Sequence, residues 1–440
     1  MHDARLKKSL ALIQLGTFLE YFDLVLYIHM AVILNKIFFM DSDPYTASLL
    51  ATLTFSSTYV LRPLGALFFG YLGDHYGRKS TVVITTLLMS LCSFTIASLP
   101  GYAEIGIASS IILIICRMLQ GFSSVGEFIG AQVYISEITK PPRSYFYTSM
   151  VIVSASLGGV FALLIANLLT FLNPVNGWRT AFYFGSAIAL VGSIARNYLR
   201  ETPEFLKGRR ERNKDKNAPS IIAPKNYRKN LLCYVGIDCI GPMCFYLTFI
   251  YLGGILGSQY GLDSYQIIRQ NLYVAIIDAI FTFLWARSAL RFYPFKVLKF
   301  RGSIFLCVGL VLPFLASWST SPLHIFMIQM LLVIFGPSSV PADALLIRSF
   351  PIIGRYTSAS LAYALSRMIM YPLTSFGCFF VGQYFGFPGI AGVLCFFTCL
   401  YLVAVRNFQP AHCEITFNAD IPEQKTSKKT AAQGVLRSSA

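Results

Sequence analysis

The chain has 440 residues, of which 55% are hydrophobic and 13% are charged, and its formal net charge is +16. Its mean hydropathy is +0.61. This composition excludes an ordinary soluble protein, because a globular core cannot bury so much apolar surface. A bilayer offers no water to unpaired backbone groups, so the sequence predicts an all-α membrane protein.

About twelve apolar stretches are long enough to cross a bilayer, since a spanning helix takes roughly 20 apolar residues. Their centres lie near residues 26, 60, 89, 115, 160, 189, 245, 277, 309, 334, 368 and 395. One long charged segment divides them into two sets of six, which suggests two repeats around a central cavity. We expect an N-terminal half at 1–205, a cytoplasmic loop at 206–228, a C-terminal half at 229–406 and a disordered cytoplasmic tail at 407–440.

The positive charge follows the gaps between these stretches. Lys and Arg cluster in alternate gaps and at both ends of the chain, with the largest cluster at 196–229. This asymmetry is typical of the positive-inside rule and predicts that both termini are cytoplasmic. It also explains the net charge without nucleic acid, so we expect lipid and no nucleic acid as partners.

The first span carries two acids, Glu20 and Asp23, three positions apart and therefore on one helix face. A charged side chain inside a membrane costs on the order of 2.5–3.5 kcal/mol on insertion scales, so it needs a partner or a water-filled cavity. Asp23 or Glu20 is our candidate for binding and releasing a proton. The alternative is a structural ion pair or an interhelical hydrogen bond.

The turn between the second and third spans runs from Gly70 to Lys79. It contains one acid, Asp74, two cations, Arg78 and Lys79, and three glycines, Gly70, Gly73 and Gly77. A charged, glycine-rich turn between two long apolar runs is rare in soluble proteins. It indicates a polytopic membrane transporter.

In the fourth span Arg117, Gln120, Ser124 and Glu127 fall within one narrow arc of a helix. We expect this stripe and the acids of the first span to form the cavity wall. Arg117 would attract a carboxylate-bearing solute or change the proton affinity of the neighbouring acid, unless it serves a structural ion pair.

The second half of the chain also offers candidates. Tyr246 would contact the solute, although filling the bundle is the commoner role of such a ring. Asp238 and Asp278 lie within apolar runs, whereas Asp343 and Arg348 are expected to form a surface ion pair. The sequence shows no Ser/His/Asp or Cys/His arrangement, no phosphate loop and no metal-ligand spacing. We therefore expect no enzyme, no cofactor and no metal.

These residues resemble the major facilitator superfamily, and within it the metabolite:proton symporters, which include proline/betaine, 2-oxoglutarate, citrate and shikimate carriers. The turn from Gly70 to Lys79 is similar to the signature between spans two and three, and Arg117 to Gly121 is similar to the R-x-x-Q-G motif of span four. Likeness to the narrower branch comes from these further segments: 16–23 followed by Tyr27, 62–65, 126–127, 178–179, 201–205, and 350–351 with 355–357.

The resemblance implies an alternating-access carrier in a plasma membrane, the inner membrane if the source is bacterial, and we expect a monomer. It places a cytoplasmic gate at these residues: Gly70, Asp74, Gly77, Arg78, Lys79, Glu137 and Arg143. Our candidates for solute contact are Arg117, Gln120, Glu127, Tyr27 and Tyr246. His75 stands where the signature has Lys or Arg, which predicts a gate that is weaker or sensitive to pH near neutrality.

The favoured function is proton-coupled symport of a small organic solute, either a carboxylate metabolite or a compound of the proline or betaine type. Two alternatives remain open. One is gradient-independent exchange or facilitated diffusion of the same solutes. The other is a membrane receptor or scaffold that binds a solute without moving it. The residues do not identify the solute, because one arginine accepts carboxylates of anions and zwitterions alike.

Overall fold

A computed structural model describes residues 2–39, 58–172, 176–196, 201–207 and 226–410 of the chain. These residues form helices and connecting turns and include no β-strand. All the predicted span centres lie in helical segments. Most of the predicted central loop and the predicted tail beyond residue 410 lie outside the described residues.

The described residues of the first part of the chain form six helices of 14 or more residues. They are α1 (His2–Phe38), α2 (Arg62–His75), α3 (Arg78–Ser98), α4 (Ile107–Ile138), α5 (Arg143–Leu172) and α6 (Gly177–Arg196). A one-turn helix, Tyr102–Ile105, precedes α4.

The second part begins with α7 (Tyr227–Tyr260), whose middle section Tyr246–Tyr251 is π-helical. It continues with α8 (Ser264–Ser288), α9 (Pro294–Ser317), α10 (Pro322–Phe335), a short helix Asp343–Arg348, and α11 (Arg355–Asn407). Two helical stretches meet within α11 at Gly386, where φ is +59° and the chain bends.

Eight helical segments among the described residues are long and apolar enough to cross a membrane. Several of their long apolar side chains are exposed, for example Leu91, Leu310 and Phe396. Exposed apolar side chains at this density suit contact with lipid. The prediction of an all-α, multi-pass membrane protein is therefore confirmed.

Small residues determine which helices approach closely. In α5, a Cβ on Gly158 would collide with the backbone of Phe18 in α1. In α2, a Cβ on Gly70 would lie 2.8 Å from Cα of Thr357 in α11, which is closer than real Cβ contacts. Helix pairs in membranes commonly use small residues in this way, because backbones then meet without a side chain between them.

Candidate transport site and gate

A buried polar network joins α1, α3 and α4 around Asp23. The Ser93 hydroxyl donates a hydrogen bond to Oδ1 of Asp23. Gln120 Nε2 donates to Oδ2 of Asp23 over 2.7 Å and lies 3.0 Å from the Ser93 hydroxyl. Asp23 is 5% exposed, so these donors replace the water that an ionised carboxylate would otherwise bind.

Arg117 reaches this network through Gln120. Its Nη1 donates a 2.8 Å hydrogen bond to Oε1 of Gln120, while Nε2 of the same amide faces Asp23. The Arg117 guanidinium also lies 3.6 Å from the centroid of the Tyr27 ring, within the range of a cation–π contact. The structure thus brings Asp23, Gln120, Arg117 and Tyr27 together. We call Asp23, Ser93, Gln120 and Arg117 the Asp23 network.

The two glutamates of the predicted stripes are also buried. Glu127 accepts a 2.8 Å hydrogen bond from the Thr86 hydroxyl, which links α4 to α3 farther along the same helix face. Glu20 is 4% exposed. Both positions therefore hold carboxylates inside the bundle, and their part in proton coupling or solute binding stays a prediction.

A cavity of about 120 Å³ lies between α1, α5, α7 and α8. Its walls include Tyr21 and His29 of α1, Phe245 and Phe249 of α7, and Asp278 of α8. The side chains proposed for solute contact from the sequence, namely Arg117, Gln120, Glu127, Tyr27 and Tyr246, are not part of its lining.

The geometry of α1 explains this separation. Tyr21, Val25 and His29 recur every four residues and share the face that lines the cavity. Asp23 and Tyr27 also lie four apart, but they are displaced from that set by two residues, about 200° around the helix at 3.6 residues per turn. The Asp23 network and the cavity therefore lie on opposite faces of α1.

Tyrosines and an ion pair connect these elements to the second part of the chain. The hydroxyls of Tyr21 and Tyr363 are 3.1 Å apart. The Arg367 guanidinium lies 3.8 Å from the centroid of the Tyr363 ring and forms a 3.1 Å ion pair with Asp238 of α7. The Tyr246 hydroxyl donates to the carbonyl of Ser375 over 3.5 Å, which places this ring between α7 and α11.

At one end of the bundle, charged side chains connect α2, α3 and α4. Arg78 forms 3.2 Å ion pairs with Asp74 and with Glu137, and its Nη1 donates to the carbonyl of Gly73 over 2.6 Å. The side chains of Arg78 and Glu137 are 0% exposed. Buried ions of opposite sign hold each other in place because neither has water to replace its partner.

The same cluster reaches α11 from the second part of the chain. Arg355 lies 3.4 Å from Glu137 and 2.9 Å from Glu204. Asp74 accepts hydrogen bonds from the backbone N–H and hydroxyl of Thr357, at 3.0 and 2.7 Å. We call Asp74, Arg78, Glu137, Glu204 and Arg355 the gate cluster. Its contacts connect α2, α3 and α4 with α11 at this end of the bundle.

Glu201 caps the start of α3 next to the gate cluster. It accepts hydrogen bonds from the backbone N–H groups of Arg78 and Lys79, at 3.1 and 3.3 Å. Gly77 precedes them with φ of +118°, and a Cβ at that position would collide with the Glu201 carboxylate. A carboxylate at a helix N-terminus is favoured by the helix dipole, so Glu201 holds the turn against α3.

The structure brings some of the predicted gate residues together and leaves others apart. Asp74, Arg78 and Glu137 meet in the gate cluster, and Gly70 allows α2 to approach Thr357. Arg143 is exposed at the start of α5, and Arg355 lies beside Glu137. The sequence pointed to Arg355, Glu201 and Glu204 only through family-like segments, without assigning them to the gate.

The prediction of a surface ion pair between Asp343 and Arg348 was wrong. Asp343 is 1% exposed, and one of its oxygens accepts a 3.3 Å hydrogen bond from Gln132 of α4. Arg348 instead donates to the carbonyls of Ser136 and Thr139 at the end of α4, the latter over 2.8 Å. The helix Asp343–Arg348 packs between other helices, which its spacing in the sequence did not reveal.

A sequence model of the Major Facilitator Superfamily matches residues 13–375. The chain belongs to the major facilitator superfamily. The proline/betaine transporter of Escherichia coli (strain K12) is 31% identical over 386 residues, covering 83% of this chain and 76% of that protein. The proline/betaine transporter of Salmonella typhimurium is 34% identical over 271 residues, covering 58% of this chain and 54% of that protein.

Solved structures of the superfamily share the fold. The proton:xylose symporter XylE from E. coli, bound to 6-bromo-6-deoxy-D-glucose, aligns with a TM-score of 0.74 at 16% identity. The alignment covers 92% of this chain and 95% of XylE. The chain is therefore a multi-pass membrane transporter of the major facilitator superfamily, as its motifs predicted.

Proposed function

We propose that this transporter is a proton-coupled symporter of a small organic solute, either a carboxylate metabolite or a compound of the proline or betaine type. The observation that carries the proposal is the Asp23 network, in which a buried carboxylate is linked through Gln120 to a buried arginine. The similarity to proline/betaine transporters supports the range of solutes.

Protonation of Asp23 would act on Arg117 through Gln120. A hydrogen bond to a charged group contributes about 1.5–3 kcal/mol, against about 0.5–1.5 kcal/mol for a neutral pair. A proton on Asp23 removes the negative charge that orients the Gln120 amide, and Gln120 in turn holds Arg117 at 2.8 Å. Arg117 then becomes available to a carboxylate on the solute, which couples the binding of solute to that of the proton.

The gate cluster supplies the two-state element of the proposed cycle. Its ion pairs join α2 and α4 to α11, so they must separate for this end of the bundle to open. We place the gate cluster on the cytoplasmic side, with both termini cytoplasmic, and propose that the halves at 1–205 and 229–406 rock about the central site. A ligand shifts such an equilibrium only through its different affinity for the two states.

Uptake by purified protein in sealed vesicles tests the proposal. Labelled proline, glycine betaine and 2-oxoglutarate are offered with and without an inward proton gradient. We expect at least one to accumulate only with the gradient, and Asp23→Asn to abolish accumulation while exchange of solute persists. Glu104→Gln is the matched control, because Glu104 is an exposed carboxylate in the turn before α4. Uptake that ignores the gradient would instead indicate an exchanger or facilitator.

A further inference from the structure

The cavity between α1, α5, α7 and α8 has the size of a small solute. Its volume is about 120 Å³, and a water molecule takes about 30 Å³ in the liquid. The cavity therefore accommodates a group of a few non-hydrogen atoms, such as the charged end of a solute. Such a site selects by the chemistry of its few polar groups, since most of its wall is apolar.

Aromatic rings form much of the wall on two sides. Tyr21 projects from α1, while Phe245 and Phe249 project from α7 at the start of its π-helical section. The three rings are partly buried, so they present surface to the cavity. Aromatic faces attract cations, and the attraction is larger where water is excluded.

The polar part of the wall is formed by Asp278, Ser156 and His29. The Ser156 hydroxyl donates a 3.1 Å hydrogen bond to Oδ2 of Asp278, which fixes the carboxylate at the edge of the cavity. Among the described residues, no cation forms an ion pair with Asp278. The Nε2 atom of His29 is buried and has no hydrogen-bond partner there, so it is open to a polar group of a ligand.

Arg301 attracts the Asp278 carboxylate without forming an ion pair with it, and its hydrogen bonds are made to other groups. Its guanidinium donates to the Ser338 hydroxyl over 3.0 Å and to the carbonyl of Val340 over 3.1 Å, at the break after α10. Tyr21 and His29 are the other titratable groups in the cavity lining. Asp278 is thus a carboxylate facing aromatic rings, an arrangement that suits a ligand cation.

We propose that this cavity binds the ammonium group of a zwitterionic solute, with Asp278 supplying the counter-charge and Tyr21, Phe245 and Phe249 the surrounding rings. The inference rests on the proposed function, because it names the class of solute that the transporter would carry and a second place where that solute would bind. It narrows that class to amino-acid or betaine zwitterions and disfavours dicarboxylates, which Asp278 would repel.

Matched ligand pairs isolate the positive charge. Glycine betaine and 3,3-dimethylbutanoate have the same shape. They differ at one atom, which is a positively charged quaternary nitrogen in glycine betaine and a neutral carbon in 3,3-dimethylbutanoate. L-Proline and cyclopentanecarboxylate form a second such pair. Binding to the purified full-length protein in detergent is followed by the shift in melting temperature, since a ligand of the folded state raises it.

We expect at least one ammonium compound to raise the melting temperature and its uncharged-carbon analogue to have no effect. Asp278→Asn should remove that shift, whereas Glu104→Gln should retain it. Ser156→Ala should weaken binding, because the Asp278 carboxylate is then no longer fixed at the edge of the cavity. Unliganded melting temperatures of the variants show whether each one folds.

Three results would overturn the inference: equal shifts from both members of a pair, stabilisation by 2-oxoglutarate alone, or an undiminished shift in folded Asp278→Asn. If Asp278→Asn does not fold, Phe249→Leu replaces it, and an unchanged affinity for the ammonium compound then overturns the inference. Because binding is measured without a gradient, these results are separate from proton coupling. Gradient-independent uptake would reject symport and leave the ammonium site standing.

Discussion

Asp23 and Gln120 are joined by a 2.7 Å hydrogen bond between α1 and α4, and the far end of the same amide accepts a hydrogen bond from Arg117. One neutral side chain therefore connects the buried acid to the buried cation. An amide can do this because it carries a donor and an acceptor at its two ends. In the proposed cycle, loss of Gln120 would therefore separate Asp23 from Arg117.

Gln120→Leu keeps the approximate volume of the side chain and removes both hydrogen bonds. We expect gradient-driven uptake to fall by about tenfold or more, because a hydrogen bond to a charged group contributes about 1.5–3 kcal/mol. The measurement is the initial uptake rate in vesicles at equal protein content. Gln383→Leu, at an exposed position of α11, serves as the control. An uptake rate equal to that of the control would show that Asp23 and Arg117 act independently of Gln120.

Glu137→Gln removes the negative charge shared by Arg78 and Arg355 in the gate cluster. The side chain of Glu137 is 0% exposed, and its neutralisation removes one of the two carboxylates that Arg78 and Arg355 each contact, leaving Asp74 and Glu204 as their partners. Breaking a buried ion pair in this way costs about 3–5 kcal/mol. We expect a clear fall in melting temperature in detergent together with loss of uptake. A variant as stable as Glu104→Gln would mean that the pairs at Glu137 do not stabilise the closed gate.

Gly70→Ala tests the close approach of α2 and α11. The added Cβ would lie 2.8 Å from Cα of Thr357, so the two backbones must move apart. We expect the closed gate to be disfavoured and uptake to fall strongly while the protein still reaches the membrane. Gly392→Ala is the matched control, because nothing lies within 4 Å of a Cβ at that position. Comparable uptake by both variants would remove the steric explanation for Gly70.

The sequence predicted the fold well because span length and hydropathy are local properties. The apolar stretch around residue 160 is long enough to predict a membrane span from its own residues. In the same way, the charges of Asp74 and Arg78 predict a turn outside the apolar part of the bilayer. Helical periodicity also placed Arg117 and Gln120 on one face, and the structure confirms that the two side chains meet.

The helices that pack against those faces were harder to predict. Arg355 follows Glu137 by more than 200 residues, and the pair forms only because α11 packs against α2 and α4. Asp343 was expected at the surface, yet Gln132 of α4 covers it. A helical pattern states which side chains share a face and does not state which helix covers that face.

The sequence by itself determined that this chain is an all-helical membrane transporter, because apolar length, charge asymmetry and the Gly70–Lys79 motif need no knowledge of distant contacts. Only the tertiary structure decided that Asp23 and Asp278 belong to different sites. Asp23 lies in a network with Gln120, whereas Asp278 lies beside a ring-lined cavity. The physical reason is that cavities and ion pairs form between helices, where side chains distant in sequence converge.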